Sequence, residues 1–201
     1  MVEKSQWVKI TEENPDHSKW YIERFRTMAA EGADLAGEAR MVDAMVGRNS
    51  RILDAGCGPG RLGGYLFQQG HEVVGVDVDP KLIEAAEADH PGPRWLVGDL
   101  AELDLASQHG ISAGFDVILN AGNVMTFLAP STRALVVERL AAHLAPGGRL
   151  VIGFGAGRGY EFSEFFEHTA AAGLGSDLLL STWDLRPFTD SSDFLVAVLS
   201  R

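Results

Sequence analysis

The 201-residue chain reads as an α/β protein. The expected architecture is a doubly wound, mostly parallel seven-stranded sheet with helices on both faces, an antiparallel C-terminal hairpin and an N-terminal helical extension. Three observations carry that expectation. Short apolar runs alternate with helical stretches through the middle of the chain. The runs are almost continuously apolar, as in strands covered on both faces. The last two runs leave no room for a helix between them, and strands joined by a short connection pair antiparallel.

The elements follow in order. Residues 1–46 precede the first strand. Asn14-Pro15-Asp16-His17 marks a helix start, with apolar positions at Trp20, Ile22, Phe25 and Met28. This extension is expected to pack over the sheet edge and to form one domain with residues 47–201. Residues 51–55 read as the first strand, Gly56–Gly60 as a turn, and a helix runs on to about Gln69. Residues 72–77 are the second strand. Asp79 then suits a helix N-cap, with Pro80 at the first helical position. That helix must stop before Pro91-Gly92-Pro93. Residues 94–98 and 115–119 are the third and fourth strands. A helix opens near Pro130-Ser131, runs to about Leu144 and stops at Pro146-Gly147-Gly148. Residues 149–154 are the fifth strand and 160–172 a helix. Residues 178–184 and 193–199 form the hairpin.

Composition narrows the function. Apolar residues make up 46% of the chain and charged residues 22%, which suits a folded core rather than disorder. No apolar run is long enough for a membrane helix, and no apolar core follows Met1-Val2-Glu3-Lys4-Ser5, so neither a membrane location nor a signal peptide is expected. The single cysteine, Cys57, excludes an internal disulfide and fits a reducing, cytoplasmic setting. A formal net charge of −11 lacks the positive footprint of a nucleic-acid binder, so a small molecule is the expected partner. Arg24 and Arg26 are a local exception, readable as a basic patch or as part of a solvated helix face. Composition leaves the oligomeric state open. The six histidines show no metal-binding spacing, so no metal is expected.

The strongest motif is Ile52-Leu53-Asp54-Ala55-Gly56-Cys57-Gly58-Pro59-Gly60. Glycines at alternate positions, between a strand and a helix, allow a sharp bend and close approach of a ligand. The helix start beyond them offers unpaired N–H groups to an anionic group. Gly58-Pro59-Gly60-Arg61-Leu62-Gly63 also matches the dinucleotide fingerprint, which keeps an NAD-dependent oxidoreductase as an alternative. Asp54, just before the bend, suits a cationic ligand and would repel a pyrophosphate. Asp77 ends the second strand, where a carboxylate can accept hydrogen bonds from both hydroxyls of a ribose. Val78 would lie beside the base. Asp99 follows the third strand and can accept from an adenine amine, while the Leu100 N–H can donate to a ring nitrogen. All three acids fall at the carboxyl ends of successive strands, where open α/β sheets bind ligands.

On these residues the chain resembles the class I S-adenosylmethionine-dependent methyltransferases over roughly residues 48–200. Leu53–Gly60 looks like that family's first motif, Val76-Asp77 like its ribose-binding acid, and Gly98-Asp99-Leu100 like its adenine-contacting step. Phe115–Asn120 resembles the fourth-strand motif and Leu144–Leu150 the turn before the fifth strand. The terminal hairpin resembles the family's reversed seventh strand. The resemblance implies a Rossmann-like fold, S-adenosylmethionine as cofactor and in-line transfer of a methyl group. It places the methionine part of the cofactor on Gly56, Cys57, Gly58 and Gly60, with backbone near Asn120 facing its amino group. His17–Arg26 resembles the helical lid of small bacterial members, with Trp20, Tyr21 and Arg26 placed to cover the cofactor; Trp20 reads equally as a core anchor. His17 and Tyr21 are the nearest candidates for a general base. No Asn-Pro-Pro-Tyr-like sequence follows the fourth strand, which argues further against a nucleic-acid amine. Gly153–Gly159 reads as a flexible loop at the substrate mouth. A non-catalytic cofactor-binding module is the remaining alternative.

Overall fold

The computed structural model describes residues 2–201. Seven apolar segments form strands: β1 (Arg51–Ala55), β2 (Glu72–Asp77), β3 (Arg94–Val97), β4 (Phe115–Asn120), β5 (Leu144–Gly155), β6 (Gly175–Leu180) and β7 (Phe194–Ser200). They make one sheet in the order β3-β2-β1-β4-β5-β7-β6. The first five are parallel to one another; β7 runs antiparallel to β5 and to β6. Successive strand residues face opposite sides of a sheet. Leu53, Val74, Ile118 and Ile152 accordingly enter one core layer, and Ile52, Val73, Val117 and Val151 the other. Both layers are covered by helices, which is why the strands lack a polar face.

The helices are α1 (Gln6–Glu13), α2 (His17–Ala30), α3 (Gly37–Met45), α4 (Arg61–Gln68), α5 (Pro80–Asp89), α6 (Leu105–His109), α7 (Val124–Phe127), α8 (Arg133–Ala142) and α9 (Phe162–Ala171). The start of α5 follows its sequence signal: Asp79 Oδ1 accepts the Lys81 N–H at 2.9 Å, and Pro80 needs no donor there. Chain order reverses between β1 and β4, and the carboxyl ends of the strands there form the crevice expected of a doubly wound sheet.

Several expectations need correction. The N-terminal extension holds three helices and does not cover a sheet edge. Its α2 packs on α5 and its α3 on α4, with Ala39 and Val42 of α3 buried in the same layer as Ile52, Val117 and Val151, so α3 helps cover a face of the sheet. Trp7 Nε1 and Ser18 Oγ both donate to Asp79 Oδ2, so α1 and α2 dock on one buried carboxylate. The first hairpin strand begins at Gly175 and ends at Leu180, because residues 181–186 turn back on themselves through Ser181 N–H to Arg186 O. The fifth strand reaches back to Leu144, with residues 145–148 bulging between the Phe115–Leu144 and Val117–Arg149 pairs.

Trp95 explains three glycines. A Cβ on Gly75 would lie 2.3 Å from its ring, one on Gly63 2.8 Å and one on Gly60 3.0 Å. The buried indole occupies a slot that these bare backbones create, and its Nε1 donates to His90 O at 2.9 Å.

Candidate functional site

A cleft of about 440 Å³ opens at the carboxyl ends of β1, β2 and β3. Its floor is the glycine bend. Gly56 (φ +83°) and Gly58 (φ +54°) occupy the left-handed region that side chains disfavour. A Cβ on Gly56 would strike Val124 at 2.5 Å, so the bend is pressed against α7. A Cβ on Gly58 would meet nothing nearer than Tyr21 at 3.8 Å. The space above Gly58 is therefore a cradle.

Asp54, Asp77 and Asp99 all line this cleft, as do Gly56, Cys57, Gly58, Val78, Leu100 and Tyr21. Asp54 is 2% exposed, and its Oδ2 accepts the Gly63 N–H at 2.9 Å. Burial pushes its carboxyl up to about 7, against the lowering effect of that bond. Asp77 accepts from Gly58 N–H at 2.9 Å on Oδ2 and from Asp79 N–H at 3.0 Å on Oδ1. Burial raises it to about 6. A carboxylate offers about four lone-pair sites, so Asp77 holds the bend and still has capacity for a ligand. Asp99 Oδ1 accepts the Ala101 N–H at 2.9 Å, capping a single 3₁₀ turn at Leu100–Glu102. Two carboxylates buried together with no cationic partner bonded to either cost the fold stability, and that pattern marks binding sites. Cys57 packs with Ile83, Ala86 and Trp95, and burial pushes its thiol well above its ordinary range. That matches a packing residue and not a nucleophile.

The remaining expected residues lie elsewhere. Arg26 does not face the cleft: it pairs with Asp89 on α5 and with Glu23. Trp20 is 55% exposed and neither lines the cleft nor anchors the core. His17 is not in the lining; its ring lies against Trp7 and Trp20. Tyr21 does line it, but burial raises its phenol further above its usual range, which suits a wall residue and not a base. Gly60 faces Ala86 and Trp95 instead of the cleft. The Asn120 side chain is fully buried, with Nδ2 donating to Ala55 O at 2.7 Å and Oδ1 left without a donor. Its side chain ties β4 to β1, while the backbone beside it, from Ala121 on, forms the cleft wall.

Several lining residues carry little local signal in the sequence. Trp7 comes from α1, whose only local signal is the Ser5 cap accepting the Val8 N–H at 3.3 Å. Tyr21 sits edge-on between Trp7 (5.2 Å) and Phe25 (5.0 Å), and Trp7 also meets Phe127 (5.8 Å), giving the cleft an aromatic rim. Arg61 follows the bend directly; Glu38 neutralises it and its guanidinium lies over Phe25. Arg24 lines the cleft in place of Arg26, and Asn123 and Arg158 line its far side.

A model of a methyltransferase domain matches residues 52–148. The crystal structure of a TehB-like SAM-dependent methyltransferase from Corynebacterium glutamicum superposes with a TM-score of 0.88. It is 48% identical, and the match covers 94% of this chain and all of that one. A malonyl-[acyl-carrier protein] O-methyltransferase from Enterobacter lignolyticus is 30% identical over 115 residues, 57% of this chain and 43% of that protein. An 18S rRNA (guanine-N(7))-methyltransferase from Mus musculus is 40% identical over 57 residues, 28% of this chain and 20% of that protein. The chain thus spans less than half the length of these two curated relatives.

Proposed function

The chain belongs to the S-adenosylmethionine-dependent methyltransferase family, and we propose that it transfers a methyl group from that cofactor to a small-molecule acceptor. The observation that carries the reading is the convergence of Asp54, Asp77 and Asp99 on one cleft above an open glycine bend. The residues fit the group. The cradle over Gly58 admits a ligand against bare backbone, and the buried acids supply the negative potential a sulfonium cation needs. Asp77 and Val78 would hold the ribose and base, Asp99 and Leu100 the adenine edge, and Gly56 and Gly58 the methionine part.

When bound, S-adenosylmethionine supplies a methyl group on positively charged sulfur. The protein's own contribution is alignment and exclusion of water. The bend and the three acids fix the donor end. Trp7, Tyr21, Phe25 and Phe127 wall it from solvent. The docking of α1 and α2 on Asp79 ties that wall to the Asp77 loop, since Asp79 N–H donates to Asp77.

The dinucleotide alternative loses its support here. Two of the three fingerprint glycines, Gly60 and Gly63, are accounted for by the Trp95 slot. The net charge of −11 favours a small acceptor over nucleic acid. The lone buried thiol suits a cytoplasmic setting; no helix among the described residues is long and apolar enough to cross a membrane. Thermal melting with S-adenosylhomocysteine and with NAD tests the reading. Ligand at ~100 times its dissociation constant adds about 2.7 kcal/mol, or roughly 5–10 °C for a domain of this size. A shift with NAD alone would refute it.

A further inference from the structure

The cleft has two ends of opposite character. Asp54, Asp77 and Asp99 follow β1, β2 and β3. Past β4, on the other side of the reversal in strand order, the polar side chains in the lining are Asn123 and Arg158. Neighbouring strands lie about 4.8 Å apart, so β5, which leads into the Arg158 loop, is roughly 10 Å from β1.

The loop bearing Arg158 is pinned on both sides. Before it, Gly155 N–H donates to Asn123 Oδ1 at 2.9 Å and Ala156 N–H to Asp193 O at 2.8 Å. After it, buried Arg133 donates to Gly159 O at 2.6 Å, while pairing with Glu164 and lying 4.5 Å over the Tyr160 ring. Arg158 and Asn123 converge: the place of a Cβ on Gly155 is 3.4 Å from Arg158 Nε and 3.6 Å from Asn123 Oδ1. Of the other two arginines in the lining, Arg61 is neutralised by Glu38 and Arg24 lies over the Trp20 and Phe25 rings of its own helix. Arg158 has no carboxylate within 4 Å among the described residues, in a chain with 28 acids and 17 basic groups. It therefore presents a planar fork of N–H donors with no internal claimant, a geometry that matches a carboxylate.

Proton bookkeeping points the same way. The titratable groups lining the cleft are Tyr21, Asp54, Cys57, Asp77, Asp99 and three arginines. Apart from Arg158, which does not deprotonate, none stands at the Asn123 end. A nucleophile bound there has no side chain to receive its proton.

We propose that the methyl acceptor is a small organic carboxylate, held by Arg158 and already ionised when it binds. This rests on the methyl-transfer reading above. One carboxylate oxygen forms the new O–C bond as the S–C bond breaks. The electron pair of that bond goes to sulfur and cancels its positive charge, the acceptor loses its negative charge, and no proton moves. Hydrogen bonds from Arg158 leave other lone pairs of the carboxylate free for attack.

The test uses methyl-labelled S-adenosylmethionine with wild type, Arg158→Gln and Arg158→Lys. The acceptors are a panel of small aliphatic and aromatic acids, each matched with its amide and its alcohol. The expected label is in alkali-labile esters, from acids only, with wild-type kcat flat from pH 7 to 9. Arg158→Gln should raise the acceptor KM at least tenfold, with partial rescue by lysine and S-adenosylhomocysteine affinity within twofold of wild type. Equal labelling of amides or alcohols, or no labelled acid in the panel, overturns the proposal. So does an Arg158→Gln loss of S-adenosylhomocysteine affinity as large as the KM change, which would move Arg158 to the donor end. Failure of wild type to bind S-adenosylhomocysteine would instead overturn the methyl-transfer reading itself.

Discussion

In the proposed reading Asp54 sets the stability of the fold against the needs of a cationic ligand, and Asp54→Asn separates the two. The carboxyl is 2% exposed and pushed up to about 7 by burial, against 3.8 for an ordinary aspartate. A group whose folded value is raised stabilises the fold fully below its unfolded value. It loses that contribution as pH rises through its folded value, because only the unfolded chain ionises freely. A gap of about three units at 1.36 kcal/mol each sets a ceiling of roughly 4 kcal/mol, forfeited between about pH 4 and pH 7. Asparagine keeps the acceptor for the Gly63 N–H and removes the charge. The ligand-free variant should therefore melt above wild type at pH 8, by up to roughly 4 kcal/mol, at about 2–4 °C per kcal/mol. The difference should shrink towards zero near pH 4. Asp77 adds to the effect, since its negative charge raises Asp54 further. Thermal melts of both proteins from pH 4 to 9 read this directly. A difference that does not change with pH, or a variant less stable than wild type at pH 8, would refute the reasoning.

Other variants probe other parts of the account. Asp77→Ala should weaken S-adenosylhomocysteine binding by about ten- to a hundredfold, the worth of hydrogen bonds to a charged group; calorimetry showing unchanged affinity would remove Asp77 from the site. Gly75→Ala puts a Cβ 2.3 Å from the Trp95 ring and should cost about 1–3 kcal/mol of overpacking. A denaturant midpoint equal to wild type would mean the Trp95 slot is not tight. Arg26→Ala should leave S-adenosylhomocysteine affinity unchanged, because its partners are Asp89 of α5 and Glu23, neither of which lines the cleft. A tenfold loss by calorimetry would restore Arg26 to the site.

The strands and the three acids were legible because both signals are local. A buried parallel strand is a continuous apolar run, and an acid at its carboxyl end is placed by the strand alone. What was not legible depends on direction. Arg24 and Arg26 are two residues apart on one helix, so they point to nearly opposite sides; only the docking of α2 decides that Arg24 takes the cleft. The same holds at the strand ends, where Asn120 turns into the sheet and Ala121 faces the site. Gly58 and Gly60 look alike in the motif, but one opens to the cleft and the other to Trp95. The start of the N-terminal extension was under-read because α1 has no buried residue of its own; what fixes it is the Trp7–Asp79 hydrogen bond, between residues 72 positions apart. Arg158 had no sequence signal beyond a glycine-rich loop, since what marks it is the carboxylate partner it lacks.

The most direct test of the central claim is a crystal structure of the protein with S-adenosylhomocysteine. The ribose hydroxyls should lie within hydrogen-bond distance of Asp77, the adenine beside Asp99 and Leu100, and the amino acid end over Gly58. Electron density for the ligand away from this cleft, for instance in the second cavity between α2 and Tyr65 of α4, would contradict it.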